Sequence, residues 1–309
     1  ESQINTYHLG FIIGPCINAS GRLESAKIGL KMLLSPTRDE AVSYAQQLKK
    51  LNEERKEMTN RGVEDAVRMI ENTGIKKDKV LVVYLNDCHE SIAGIIAGRI
   101  KDKYNKPTII LTKGETGAKG SARSIEEYNM FEELSLCKGL LEKFGGHPMA
   151  AGLSLKEENI DPLREQLNQN TSLTKEDFAR KITFDMVLPF QRVNVMLIEE
   201  FSRLEPFGKG NVKPLFAMKN IKIIKGIKLG QNKNVLKLSV SEDGKARFRY
   251  SALLFFDVPA FEEEIVRIYG QKQLDKLYEG ADNDIIMDII YYPDINEYNG
   301  FKNIQFIIQ

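Results

Sequence analysis

The pattern of hydrophobic and polar positions changes period several times along the chain. Residues 1 to 38 hold a short apolar patch and a Gly-Pro turn, Phe11-Ile12-Ile13-Gly14-Pro15, but no pattern able to build a core by itself. Ser35-Pro36 offers a cap followed by a proline suited to a first helical turn, and Thr37 to Asn60 contains neither Gly nor Pro. Ala41, Tyr44, Ala45, Leu48 and Leu51, then Val63, Ala66, Val67 and Ile70, recur at three- and four-residue spacing. That spacing predicts a long helix with one packed stripe and charged outer faces, with Gly62 as a weak point. A strut between domains and an ordinary surface helix both fit so polar a pattern.

From Lys79 the texture is different. Val80 to Leu85 is a continuous β-branched and apolar run, Ser91 to Tyr104 has helical spacing, and Pro107 to Thr112 is a second apolar run. This predicts a strand, helix, strand unit with parallel pairing. A strand at Gly120 to Ser124, a helix near Phe131 to Phe144 and a strand at Ala150 to Leu155 would complete a small α/β domain over 75–165, with a mixed, largely parallel sheet. Residues 166–205 read as a helical connector, with Val195, Met196, Ile198 and Phe201 on one face. Beyond it, runs at Leu215–Ile224, Val235–Val240, Phe248–Phe256, Ile285–Tyr292 and Asn303–Ile308, with a helix at Ala260–Tyr269, predict a C-terminal barrel of the oligonucleotide-binding (OB) type over 206–309.

Composition narrows the function classes. Lys and Arg total 44 against 43 for Asp and Glu, so a site for a polyanion has to be local rather than a property of the whole surface. Cys16, Cys88 and Cys137 are too few and too far apart for a disulfide framework or paired zinc ligands. No run suits a membrane span and the first residues lack a secretion pattern, so the expected location is the cytoplasm.

Three local motifs can carry chemistry. Phe144-Gly145-Gly146-His147-Pro148 combines glycines that admit close backbone approach with a side-chain donor, which suits a phosphate; a tight turn with an incidental histidine is the alternative. Gly120-Ser121-Ala122-Arg123-Ser124 places hydroxyls around a guanidinium fork, against the alternative of a surface salt bridge. His89-Glu90-Ser91 ends the first strand just before a helix N-terminus, where anions collect, although a structural histidine fits there too. No carboxylate cluster suited to a two-metal site is visible, and no P-loop or Gly-x-Ser-x-Gly motif. In the barrel, Phe248, Tyr250 and Phe255 lie near Lys237, Arg247 and Arg249; strand alternation favours core packing over base stacking for these aromatics.

In order, these segments resemble the RecJ branch of the DHH phosphoesterase family. Gly14-Pro15-Cys16-Ile17-Asn18-Ala19-Ser20-Gly21-Arg22-Leu23 is similar to the segment closing that family's catalytic domain, and the helix from about Thr37 to its long connector, here 39–74. His89 to Arg99, Gly120 to Ser124 and Gly145 to Gly152 resemble the motifs of the DHH-associated domain, and Leu204 to Asn211 the lead-in to the OB domain. Ser91 and Ala122 stand where the pattern has glycine, and Gly98 where serine is usual. The resemblance implies a single-strand-specific DNA 5′-to-3′ exonuclease of repair and recombination, dependent on Mn2+ or Mg2+. It implies that His147, Gly145, Gly146, Arg123 and Ser121 hold the DNA end, that Asn18 and Arg22 line the cleft, and that His89 borders it. Single-stranded DNA is the implied partner, with a single-strand-binding protein or a helicase as candidate protein partners. The family's Asp-His-His stretch is missing, so the expectation is binding without cleavage, with no metal ligands in this chain. A DHH-type oligonucleotide or dinucleotide phosphodiesterase and a non-catalytic binding module are the competing readings.

Overall fold

The computed structural model describes residues 4–242, 248–255, 258–298 and 300–309. The chain divides into two compact units, Glu1–Arg180 and Lys181–Gln309, and the division falls inside the polar stretch read as a connector.

In the first unit, α1 (Gly14–Leu23) and α2 (Lys27–Leu33) pack on α3 (Arg38–Asn72), a single helix of 35 residues. Its cap is Thr37, whose side chain accepts from the Glu40 amide; Ser35 instead turns its hydroxyl back to the Lys31 carbonyl, because it closes the preceding helix. Gly62 is no weak point. The helix runs through it, and a Cβ there would lie 2.4 Å from Ile96 Cδ1, so the missing side chain lets the next helix come close.

A five-stranded sheet follows, in the order β1 (Leu81–Leu85), β2 (Thr108–Lys113), β3 (Ala118–Arg123), β5 (Ala150–Leu155), β4 (Lys143–His147). The first two strands are parallel across α4 (Glu90–Tyr104), as the strand, helix, strand pattern requires. The other pairings are antiparallel, so the sheet is mixed but not largely parallel. The reason lies in chain length: α5 (Met130–Leu136) is too short for a full crossover, and Lys143–His147, expected at a helix end and a loop, is itself an edge strand. One face of the sheet packs on α5 and α6 (Ile160–Asn170) through Val82, Ile109, Leu111, Ala122, Leu153 and Leu163. The other face packs on α3 and α4 through Ile70, Leu81, Val83, Ile96 and Ile110. That second layer covers β1 and β2 and ends over β3, on which α4 also packs, leaving β5 and β4 uncovered on that side.

The second unit holds β6 (Met186–Val187), α7 (Val195–Ser202), β7 (Phe216–Leu229), β8 (Val235–Ser241), β9 (Tyr250–Leu254), α8 (Val258–Tyr269), α9 (Gln271–Glu279), β10 (Ile286–Tyr298) and β11 (Phe301–Ile308). Strands pair as β7, β8, β9, β11, β10, and β10 returns to β7, closing an OB-type ring with the helices inserted between β9 and β10. The helix expected at Ala260–Tyr269 has a second helix, α9, directly after it. Phe190, Tyr291 and Phe306 pack edge-on and tilted against one another in the core, and Tyr250 joins them at 5.0 Å from the Phe190 ring. Tyr250 is thus a packing residue, whereas Phe248 and Phe255 flank the hydrogen-bonded span of β9 and are exposed. Arg247 and Phe256 lie outside the described residues.

Gly62→Val should lower stability by about 2 kcal/mol, since overfilling a packed contact costs about 1–3 kcal/mol. Gly98→Ala, where a Cβ meets nothing within 4 Å, should raise it by about 0.5–1 kcal/mol. Urea midpoints of the two variants, moving in opposite directions, are the check.

Candidate functional site

Strand register sets this face of β3, β5 and β4 in rows. Lys119, Ser154 and Lys143 face one another across β3, β5 and β4; Ser121, Gly152 and Gly145 form the next row, and Arg123, Ala150 and His147 the third. Alternation puts these side chains on the side away from Ala118, Ala122, Leu153 and Leu155, which are buried in the core. Gly152 and Ala150 in the middle of the rows, with Gly145 beside them on β4, leave a shallow floor between a hydroxyl and guanidinium on one border and an imidazole on the other. With strands about 4.8 Å apart, Arg123 and His147 stand roughly 10 Å from each other across that floor. A cleft of about 440 Å³ lies over the first two rows, walled by the first turn of α4 at Glu90, Ser91 and Ala93 and floored by Ser121 and Gly152; Arg123 and His147, in the third row, border it and are not among its lining residues.

The first turn of α4 is built for this position. His89 is the N-cap: its Nδ1 accepts from the Ser91 amide at 3.3 Å and lies 2.7 Å from the Ser91 hydroxyl. The Ile92 amide is taken by the His89 carbonyl at 3.2 Å, so the Glu90 amide, with the helix dipole, is what this turn offers an anion at the cleft wall. Glu90, in the same turn, is bound to Lys119 at 2.9 Å.

Arg123 is half-buried. Its Nη1 donates to the Ala122 carbonyl at 2.7 Å, and its Nη2 lies over Gly94 of α4, where a Cβ would come within 2.8 Å of it and 3.4 Å of Ser121 Oγ. Gly94 thus gives the guanidinium and the hydroxyl a common resting place against the helix. Burial and the charge of Arg22 both lower the Arg123 pKa from its ordinary value, burial more. Arg22 reaches the same wall, donating from Nη1 to the Ser91 carbonyl at 2.7 Å.

Of the other residues singled out, His147 is exposed and accepts the Met149 amide at Nδ1, 3.3 Å, so its neutral ring carries the proton on Nε2 as a free donor among the described residues. Gly145 is exposed in the floor. Gly146 turns the other way: a Cβ there would meet the Ala150 carbonyl oxygen at 2.3 Å, so it permits close pairing of β4 with β5. Asn18 is exposed one turn before Arg22, and no described contact ties it to the cleft.

Two arginines and two asparagines escaped the sequence reading. Arg55 of α3 spends Nε and Nη2 on Asn52 Oδ1, at 3.1 and 2.9 Å, and Arg99 of α4 donates Nη1 to Asn60 Oδ1 at 2.6 Å. Among the described residues, Arg22, Arg55, Arg99 and Arg123 have no recorded carboxylate partner; each rests on a neutral oxygen. The only sequence signal was their position on helix faces otherwise rich in ion pairs. The donor set is that of an anion site. It does not fit a divalent cation, because Glu90 is committed to Lys119 and no three His, Cys, Asp or Glu side chains group together among the described residues.

In the second unit, Lys225, Ile227, Lys237 and Arg249 line a groove on the outer face of β7, β8 and β9, with Ser239 and Ser251 between the cations. The strand register pairs Lys225 with Ser239, Ser239 with Ser251 and Ile227 with Lys237, so this is one continuous face.

Residues 184–309 match the RecJ OB domain family and residues 77–172 the DHHA1 domain family. The single-stranded-DNA-specific exonuclease RecJ of Bacillus subtilis is 32% identical over 311 residues, covering 99% of this chain and 37% of the relative. The corresponding protein of Haemophilus influenzae is 31% identical over 316 residues, covering 99% and 52%. The chain therefore spans about a third to a half of the length of these curated relatives. The crystal structure of RecJ in complex with Mg2+ from Thermus thermophilus has a TM-score of 0.75 to this chain at 21% identity, covering 97% of this chain and 42% of that one, a likeness of fold. No helix among the described residues is long and apolar enough to cross a membrane. Two matched domains in sequence order, and similarity running along the whole of these residues, make the assignment: this chain belongs to the RecJ family and carries its DHHA1 and OB domains.

Proposed function

We propose that this chain is the strand-holding part of a single-strand-specific DNA exonuclease that works from the 5′ end in repair and recombination in the cytoplasm. In this reading residues 1–38 continue a catalytic domain, 39–74 connect it to the substrate-binding domain at 75–165, and 166–205 lead to the OB domain at 206–309. The observation that carries the reading is the shared face: Ser121, Arg123 and His147 border one floor of small residues, and Arg22, bound to the Ser91 carbonyl of the adjoining helix turn, brings its charge to bear on Arg123 with no carboxylate to neutralise it among the described residues.

A terminal phosphate seated on that floor receives the Arg123 fork, the Ser121 hydroxyl, the Glu90 amide at the start of α4 and, from across the sheet, the Nε2 proton of His147. Gly145 and Gly152 keep side chains out of its path, and Lys143 adds charge at the outer row, where Lys119 is paired with Glu90. Fixing the end in this way sets the following phosphodiester in one orientation, which is what in-line attack by water requires. Divalent cations, Mn2+ or Mg2+, would supply the activated water and stabilise the leaving oxygen in the whole enzyme. In the OB unit the groove over β7 to β9 supplies Lys225, Lys237 and Arg249 to backbone phosphates, and the exposed Ile227 offers an apolar surface to bases.

With manganese and 5′-labelled single-stranded DNA, this chain should bind without turnover, and its affinity should fall with salt by a slope of about 0.7 per phosphate contacted; turnover by the chain alone would overturn the reading. Arg123→Gln should weaken binding of a 5′-phosphorylated oligonucleotide by tenfold or more, and His147→Ala should weaken it less, since charge-assisted hydrogen bonds are worth about 1.5–3 kcal/mol each. Both losses should vanish on an oligonucleotide that lacks the 5′-phosphate, measured by fluorescence anisotropy. Gly94→Ala should displace the Arg123 guanidinium and lower the same 5′-phosphate preference, while leaving the urea midpoint within about 1 kcal/mol of the parent, since alanine is favoured over glycine in a helix.

A further inference from the structure

The sheet face uses Arg123 and Arg22, and leaves Arg55 and Arg99 without a task. Arg55 is half-buried on α3 and pinned by Asn52, whose own side chain is 6% exposed and donates Nδ2 to Cys16 Sγ at 3.5 Å. Arg99, exposed on α4, makes a single bond to the exposed Asn60, two turns further along α3. Burial lowers the Arg55 pKa, and the charges of Arg22 and Arg99 lower it further. A guanidinium does not shed its proton to relieve such crowding. It stays charged, and neutral amide oxygens hold it among other cations.

A surface arginine with nothing to bind extends into water or pairs with a carboxylate, and α3 is rich in carboxylates at Glu53, Glu54, Glu57 and Glu64. Arg55 uses none of them. Its Nε and Nη2 are fixed instead on Asn52 Oδ1, within the electrostatic reach of Arg22, whose charge also bears on Arg123. Buried Thr59, one turn from Arg55, has an unpaired hydroxyl, a further polar group without a partner among the described residues. The whole set is missing one component, which is negative charge.

We infer that Arg55 and Arg99 form a second phosphate subsite, on α3 and α4, that takes one internucleotide phosphodiester of the strand whose terminal phosphate lies on the sheet face. Asn52 and Asn60 are its positioning residues, and Arg22 stands between the two subsites. The inference rests on the proposed function for the identity of the ligand, and adds that the grip is a two-point one, reading the backbone as well as the end.

The test uses the 309-residue chain and a 5′-phosphorylated dT8 in which the first, second or third internucleotide phosphate is replaced in turn by an uncharged methylphosphonate. One of these replacements should weaken binding to the parent chain about tenfold and should weaken Arg55→Gln less than twofold, because the variant has already lost that contact. Arg55→Gln should keep the full preference for a 5′-phosphate over a 5′-hydroxyl, and Arg55→Lys should recover part of the lost affinity. If no replacement affects the parent more than twofold, the second subsite does not exist, whatever the variants do. If Arg55→Gln abolishes the 5′-phosphate preference, Arg55 belongs to the first subsite and the inference is overturned. Loss of that preference in Arg123→Gln is read separately, and its absence would count against the sheet-face reading alone.

Discussion

Positive charge held without a carboxylate is the constraint around which the first unit is arranged. Bringing several guanidiniums toward one another is unfavourable, and the chain achieves it with fixed neutral oxygens: the Ala122 and Ser91 carbonyls and the amides of Asn52 and Asn60. Each acceptor belongs to a packed element. Ala122 is fully buried in β3, and Asn52 is almost so on α3. The core therefore does electrostatic duty, since moving any of these backbones would release an arginine toward water and dissolve the arrangement.

Glycine supplies the geometry. Gly62 brings α3 against α4 at Ile96, Gly94 lets Arg123 lie against α4, and Gly145 and Gly152 leave the floor bare. At the first two a side chain would meet a neighbour within 3 Å, so these are contacts between elements and not points of looseness. Two helices with one such contact glycine each and a sheet with a bare strip combine into a cleft wherever the helix layer ends before the sheet does. Here it ends over β3.

Much of this was legible in the sequence because it depends on period and on local motifs. The buried runs at 80–85 and 107–112 could only be covered strands, and the five β runs after residue 214 carry their alternation openly. The Ser-Arg and Gly-Gly-His motifs were recognisable, but their relation was not: that Arg123 and His147 share a row is a consequence of β4 and β5 pairing in one register, which no local pattern encodes. The stretch at 143–147 has two glycines, poor strand formers, and becomes a strand because β5 offers it a template. Arg55 and Arg99 were hidden for another reason. On a helix with many charged residues, an arginine facing an asparagine looks the same as one facing a glutamate, and only the fold tells them apart.

The continuity of α3 has one more consequence. Asn52 and Asn60 stand on the same uninterrupted helix, about 12 Å apart along its axis at 1.5 Å per residue. A rod carrying two marks is a gauge: α3 sets the spacing of the two asparagines, and because Arg99 is carried by α4, the separation of the arginines is held as well by the packing of α4 on α3. Whatever anion chain is laid along it is measured in units the backbone has already set.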